Sequence, residues 1–187
     1  MLGKAWWHST ETRADGSPRF DVVILDAPAT GHGLDMLRVP KVIVDVVPPG
    51  LLRRDAERAW ALFRDPDQCS VVLVSLPEEM PTTETIELAS ALTNELGMTI
   101  ARVVVNGVLP PLFTREERER LEHVVVSPVD RGTSSVNASR ARAVRERVQA
   151  ESLARLSREL PIEPAFFPLL FEDAATPKAI RELAKRL

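Results

Sequence analysis

The chain has 187 residues, 44% of them aliphatic or aromatic and 27% charged, which suits about one ordinary globular domain. A net charge of −3 excludes a dedicated polyanion-binding surface, so nucleic acid is not an expected partner, and the single cysteine, Cys69, excludes a disulfide framework or a zinc site built from several thiolates. No apolar run approaches the ~18 residues of a membrane span, and Met1–His8 lacks the apolar stretch of a signal peptide, so the expected location is cytoplasmic.

Residues 9–19 are polar, and Asp15-Gly16-Ser17-Pro18 marks a turn within them. Phe20–Asp26 reads as a strand whose unbroken β-branched run suits burial on both faces of a parallel sheet. The following Ala27-Pro28-Ala29-Thr30-Gly31-His32-Gly33 cannot extend it, and Val39-Pro40 and Val46-Val47-Pro48-Pro49-Gly50 punctuate the short apolar stretch beyond. Leu52–Phe63 sets Leu52, Ala56, Ala59, Trp60 and Phe63 at helical spacing. Ser70–Leu76 is a second buried-type strand. Pro81–Leu96 is a helix that Thr82 or Thr83 would cap and Gly97 would end.

Ile100–Asn106 is a third strand. Thr114 and Glu117 stand in capping-box spacing at the start of a charged helix. Asn137–Leu160 is a long charged helix with apolar positions at Val144, Val148, Leu153 and Leu156. The Arg131–Arg158 stretch is interspersed with Glu146, Glu151 and Glu159, which predicts a solvated helix face. Ile162–Phe167 is a last short strand, Pro168–Thr176 a loop and Pro177–Leu187 a final helix. Strands alternating with helices predict an α/β fold, a mostly parallel doubly wound sheet with flanking helices, over a single domain of residues 1–187.

Ligands of open α/β sheets collect at the carboxyl ends of the strands, where two of these strands end in Asp26 and Asn106. Four apolar residues and an aspartate make a Walker B pattern, in which the carboxylate serves a nucleotide-bound Mg²⁺ through water. An aspartate also ends many strands simply because the chain emerges there into solvent.

Asp26-Ala27-Pro28-Ala29-Thr30-Gly31-His32 resembles the switch II signature of the anion-transporting ATPase family, which includes arsenical pump-driving ATPases and tail-anchored-protein targeting factors. The aspartate and the closing Thr-Gly-His match; positions two to four read Ala-Pro-Ala in place of the family's Thr-Ala-Pro. Leu37-Arg38-Val39-Pro40 resembles the turn that follows switch II, and Val72–Thr85 resembles the strand and helix start in which Glu-Thr recurs. Val103-Val104-Val105-Asn106 resembles the strand whose asparagine recognises adenine, and Phe167-Pro168-Leu169-Leu170-Phe171-Glu172 resembles the loop that sandwiches the base.

The resemblance implies a P-loop NTPase-like fold with ATP and Mg²⁺ as cofactors. Asp26 would serve the metal and Gly31 the terminal phosphate, with Thr30 and His32 reporting nucleotide state. Asn106, Pro168 and Leu169 would hold adenine. Alternatively His32 is a structural histidine and Asn106 a turn former before Gly107. The resemblance also implies a homodimer that opens and closes with nucleotide, and a membrane-transporter or client partner.

The sequence departs from the family in one main respect. It contains no G-x-x-x-x-G-K-S/T loop, and Gly3-Lys4-Ala5 has the wrong follower. With only eight glycines in the chain, it reads as a C-terminal portion of such an ATPase, expected to be inactive by itself and to need a P-loop half from elsewhere. A non-catalytic interaction or regulatory module derived from the same fold is the alternative. Lone Cys69 and the short Val42–Phe63 stretch argue against metalloid sensing and client-helix capture. The Val42-Ile43-Val44 and Val46-Val47 residues read as core or as a small contact face.

Overall fold

The structure, a computed structural model, describes residues 1–125, 133–171 and 176–187. Arg131 of the arginine-rich stretch and Glu172 of the Phe167–Glu172 motif lie outside the described residues. The chain divides into two units, Met1–Val71 with Ser90–Ile100, and Val72–Ala89 with Ala101–Leu187.

In the first unit, Trp6 and Trp7 lie on helix α1 (Leu2–Thr10). The expected turn follows: Asp15 accepts from the backbone N–H of Ser17, Gly16 takes a left-handed φ of 81°, and Thr12 bridges Pro18 antiparallel. The predicted strand Phe20–Asp26 is not one. No backbone hydrogen bond joins it to another segment among the described residues, and Val22 and Ile24 are 75% and 88% exposed. Strand propensity alone does not make a strand; a ladder does, and here none is formed.

A second correction follows directly. The stretch read as a bend, a turn and a punctuated apolar run is one helix, α2 (Thr30–Val46), with Pro40 inside it. Proline removes one helical hydrogen bond, but the remaining turns and packing against α3 (Leu51–Arg64) carry the helix through. Helix α3 buries Ala56, Ala59 and Phe63 as its periodicity predicts. Val42 and Val46 are exposed rather than core. A π-helical turn at Ala91–Glu95 leads to Gly97, whose φ of 62° suits the expected helix-ending role. Arg38 of α2 pairs with Glu95 on that turn.

The second unit is built on a parallel sheet in the order β1 (Val71–Ser75), β2 (Ile100–Val108), β3 (Ala165–Pro168), with flanking helices, an α/β arrangement as predicted. Val103, Val104 and Val105 are buried, as a central strand requires. Strand β1 buries Leu73 and Ser75 but exposes Val72 and Val74, so it is covered on one face, not on the two its composition suggested. Helix α4 (Glu79–Ser90) starts two residues before the predicted start, so Thr82 and Thr83 lie within it and cap nothing. Thr83 instead donates to the Glu79 carbonyl. Helix α5 (Arg115–His123) carries the predicted capping box in full, with Thr114 accepting from Glu117 N–H and Glu117 accepting from Thr114 N–H. Helix α7 (Pro177–Ala184) is capped by Thr176, which accepts from Ala179 N–H.

Helix α6 (Thr133–Glu159) buries Leu156 as predicted but shifts the rest of its core face. Val144 is 42% exposed, whereas Ala143, Glu146, Gln149, Ser152 and Leu156 are buried. The core-facing stripe is largely polar because it meets backbone groups that need partners, as the site makes clear.

Candidate functional site

Strands β2 and β3 run parallel in the register Val104 with Ala165, Val105 with Phe166 and Val108 with Pro168. Three residues of β2 thus span two of β3, and the extra residue falls at Asn106-Gly107. Gly107 takes a φ of 74°, a left-handed conformation that glycine accepts without strain. The ladder closes again where Leu169 N–H donates to the Val108 carbonyl at 2.8 Å. Asn106, Pro168 and Leu169, singled out separately in the sequence, therefore come together at the carboxyl ends of adjacent strands. Asn106 is exposed and Leu169 partly so, leaving an amide with both donors and acceptors beside an apolar edge.

The chain beyond the bulge is held from α6. Gln149 donates Nε2–H to the Leu109 carbonyl at 2.9 Å and accepts from Leu109 N–H at 2.8 Å. Glu146 accepts from Leu112 N–H at 2.9 Å and Phe113 N–H at 3.3 Å, and Arg142 donates to the Pro110 carbonyl. Arg142 also pairs with Glu146 at 2.8 Å, and Arg118 lies 3.6 Å from it. Burial alone would push the Glu146 carboxyl up; the hydrogen bonds from Arg142 and from the Leu112 and Phe113 amides outweigh it and hold the group below the usual range. The arginine-rich stretch is accordingly more than a solvated face, since Arg142 and Arg140 both hold backbone carbonyls.

Sequence reading missed Gln149 and placed Glu146 and Arg142 on a solvated face. Their signal was present as polar residues at i, i+4 and i+7 of one helix, a period searched only for apolar residues.

At the start of β1's crossover, the Thr85 hydroxyl donates to the Pro81 carbonyl at 2.7 Å and lies 2.8 Å from the Ser75 hydroxyl. This ties the recurring Glu84-Thr85 pair to the strand end.

In the first unit, Ala29 occupies the N-cap of α2, and Thr30, Gly31, His32 and Gly33 form its first turn. No side chain caps that turn. Gly31 is therefore helical and not a bend, and a Cβ there would meet nothing within 4 Å. Gly33 is the glycine the geometry demands: a Cβ on it would stand 2.3 Å from the Pro28 carbonyl oxygen. Asp26, Gly31 and His32 are exposed, and Asp26 has no hydrogen bond or ion pair among the described residues. No group of three or more metal-ligating side chains occurs among the described residues, and no described helix is long and apolar enough to cross a membrane.

Residues 52–161, over half of the chain, match the anion-transporting ATPase family. This chain belongs to that family. It is 31% identical over 93 residues to the ATPase BagA of Mycobacterium tuberculosis, a match covering 50% of this chain and 27% of that protein. A Halobacterium salinarum protein named as an arsenical pump-driving ATPase is 28% identical over 99 residues, covering 49% of this chain and 15% of that one. The matched stretch thus spans about a quarter or less of those relatives.

Proposed function

We propose that this chain contributes the switch II segment and base site of a cytoplasmic ATP-binding and ATP-hydrolysing protein, completed by a P-loop-bearing partner segment or chain in a nucleotide-driven dimer. The observation that carries the reading is the juxtaposition of Asn106 with Pro168 and Leu169 across the β2–β3 bulge. Asn106 would pair with the adenine edge through its amide, and Pro168 and Leu169 would cover the ring.

Asp26 fits a hydrated cation. It is exposed and unpaired among the described residues, and Mg²⁺ keeps several waters and phosphate oxygens rather than an all-protein cage. When bound, Mg²⁺ would neutralise charge on the transferring phosphate. Open space at Gly31, in an uncapped first turn of α2, suits close approach of the terminal phosphate to backbone N–H groups. Thr30 and His32, on the same turn, would carry phosphate state into α2 and from there to a membrane-transporter or client partner.

Calorimetric titration with adenosine and ADP tests the base site. Asn106→Ala is expected to weaken binding about tenfold, and unchanged affinity counts against the assignment. The alternative is a non-catalytic interaction or regulatory module derived from the same fold. It shares the expectation that the chain alone hydrolyses no ATP. Turnover by residues 1–187 that disappears in Asp26→Asn would overturn that expectation.

A further inference from the structure

Gln149 is 9% exposed, lies forty residues from Leu109 in sequence and, among the described residues, spends its amide on both backbone groups of Leu109. Leu109 is the first residue past the end of β2, three beyond Asn106. Between them lies Gly107 in a left-handed conformation, the most permissive backbone in the segment. Upstream of the bulge the chain is pinned by the Val105–Phe166 register; downstream it is pinned by Val108 to Leu169 and by Leu109 to Gln149. On the same face of α6, Glu146 one turn earlier accepts from Leu112 and Phe113 N–H, and Arg142 two turns earlier donates to the Pro110 carbonyl.

We infer that Gln149 is a positioning residue for the base site: by clamping Leu109 it fixes the Asn106-Gly107 bulge and so the direction of the Asn106 amide relative to Pro168 and Leu169. The inference rests on the adenine reading above. A glutamine does this uniquely well among α6's buried residues, because its side-chain amide reproduces the donor and acceptor spacing of a neighbouring strand and can close a ladder rung where β2 runs out of partners. A hydrophobic residue of equal volume would fill the space and leave both Leu109 groups without their partner in a part-buried setting. The bulge would then swing on Gly107. Asn106 would keep its identity and lose its aim.

The test uses the chain as it exists, with adenosine and guanosine as probes and the Asn106 side-chain amide resonances as the spectroscopic readout. In the wild type, adenosine shifts those resonances and guanosine does so less. Gln149→Met, confirmed folded by circular dichroism, is expected to bind adenosine about tenfold more weakly and to lose the preference over guanosine. A loss of discrimination is the mark of a positioning role, since general loosening would weaken both nucleosides alike. Adenosine binding and preference equal to wild type overturn the inference and leave the adenine reading standing. No response to adenosine in the wild type overturns the adenine reading and this inference with it. If Gln149→Met does not fold, Gln149→Glu is read in its place. It still accepts from Leu109 N–H but cannot donate to the carbonyl, so weakened adenosine binding supports the inference and wild-type binding overturns it.

Discussion

Gly33 lies directly beneath Pro28: a Cβ on the glycine would stand 2.3 Å from the proline's carbonyl oxygen, inside any tolerable contact. The loop leading out of Asp26 thus folds back onto the first turn of α2, and only the absent side chain lets it. Gly33→Ala is expected to destabilise the chain by about 1–3 kcal/mol, because the obstacle is backbone and cannot rotate away. Gly31→Ala, two residues earlier in open space, is expected to stay within about 1 kcal/mol of wild type and to lean toward stabilising, since alanine is the better helix former. Urea denaturation of the two variants checks the contrast. Equal losses would show that the close approach to Pro28 is not formed.

The Glu146 carboxylate is 2% exposed and receives hydrogen bonds from two backbone amides and Arg142. Glutamine keeps one acceptor oxygen but sets an NH2 donor against the backbone N–H that the other oxygen served, and it leaves Arg142 without its counter-charge. Glu146→Gln is expected to cost about 3 kcal/mol, with the loss visible in the urea midpoint. The pH dependence has a definite sign. The folded-state pKa lies below the ordinary value of 4.5, so the stabilisation is fully present above that pH and is lost as pH falls through the folded value. Wild-type stability should therefore decline below about pH 4.5, and Glu146→Gln should decline less steeply.

Much of this architecture was legible in the sequence where local chemistry decides. The capping box at Thr114 and Glu117, the turn at Asp15–Pro18, the stop at Gly97 and the stripe of α3 depend on neighbours within a few residues. Asn106, Pro168 and Leu169 were legible as separate motifs. Their adjacency was not, because it depends on the β2–β3 register and a one-residue bulge. Helix α6 was misread for a physical reason: a buried face is apolar only when what it meets is apolar. Here it meets the bare backbone of residues 109–113, and Glu146 and Gln149 are the side chains that can answer it. The strand at Phe20–Asp26 failed for the converse reason, since its residues want a ladder and the described residues offer none.

That exposed run sets a solubility prediction. Val22 and Ile24 present an apolar, β-prone backbone whose donors and acceptors join no ladder among the described residues, flanked by Asp21 and Asp26. Such a segment pairs with copies of itself or with other open edges. The double substitution Val22→Lys and Ile24→Lys is expected to suppress concentration-dependent association measured by dynamic light scattering. The thermal midpoint should hardly change, because neither side chain is buried. Association that persists unchanged would locate the sticky surface elsewhere.

Two threonines on α4, three residues apart, should respond to the same substitution with opposite sign. Thr85 is buried and its hydroxyl works, donating to the Pro81 carbonyl with the Ser75 hydroxyl alongside. Thr82 is 1% exposed and its hydroxyl has no hydrogen-bond partner among the described residues. Burying an unpaired hydroxyl costs about 1–3 kcal/mol, and valine keeps the shape while removing the oxygen. Thr82→Val is therefore expected to stabilise by about 1 kcal/mol, raising the thermal midpoint by roughly 2–4 °C in a chain of this size. Thr85→Val is expected to lose about 1–2 kcal/mol, because it leaves the Ser75 hydroxyl and the Pro81 carbonyl with one partner fewer. Differential scanning calorimetry of the two variants measures both shifts. A destabilised Thr82→Val would mean that the hydroxyl holds an ordered water, and filling that water's place would then be the cost observed.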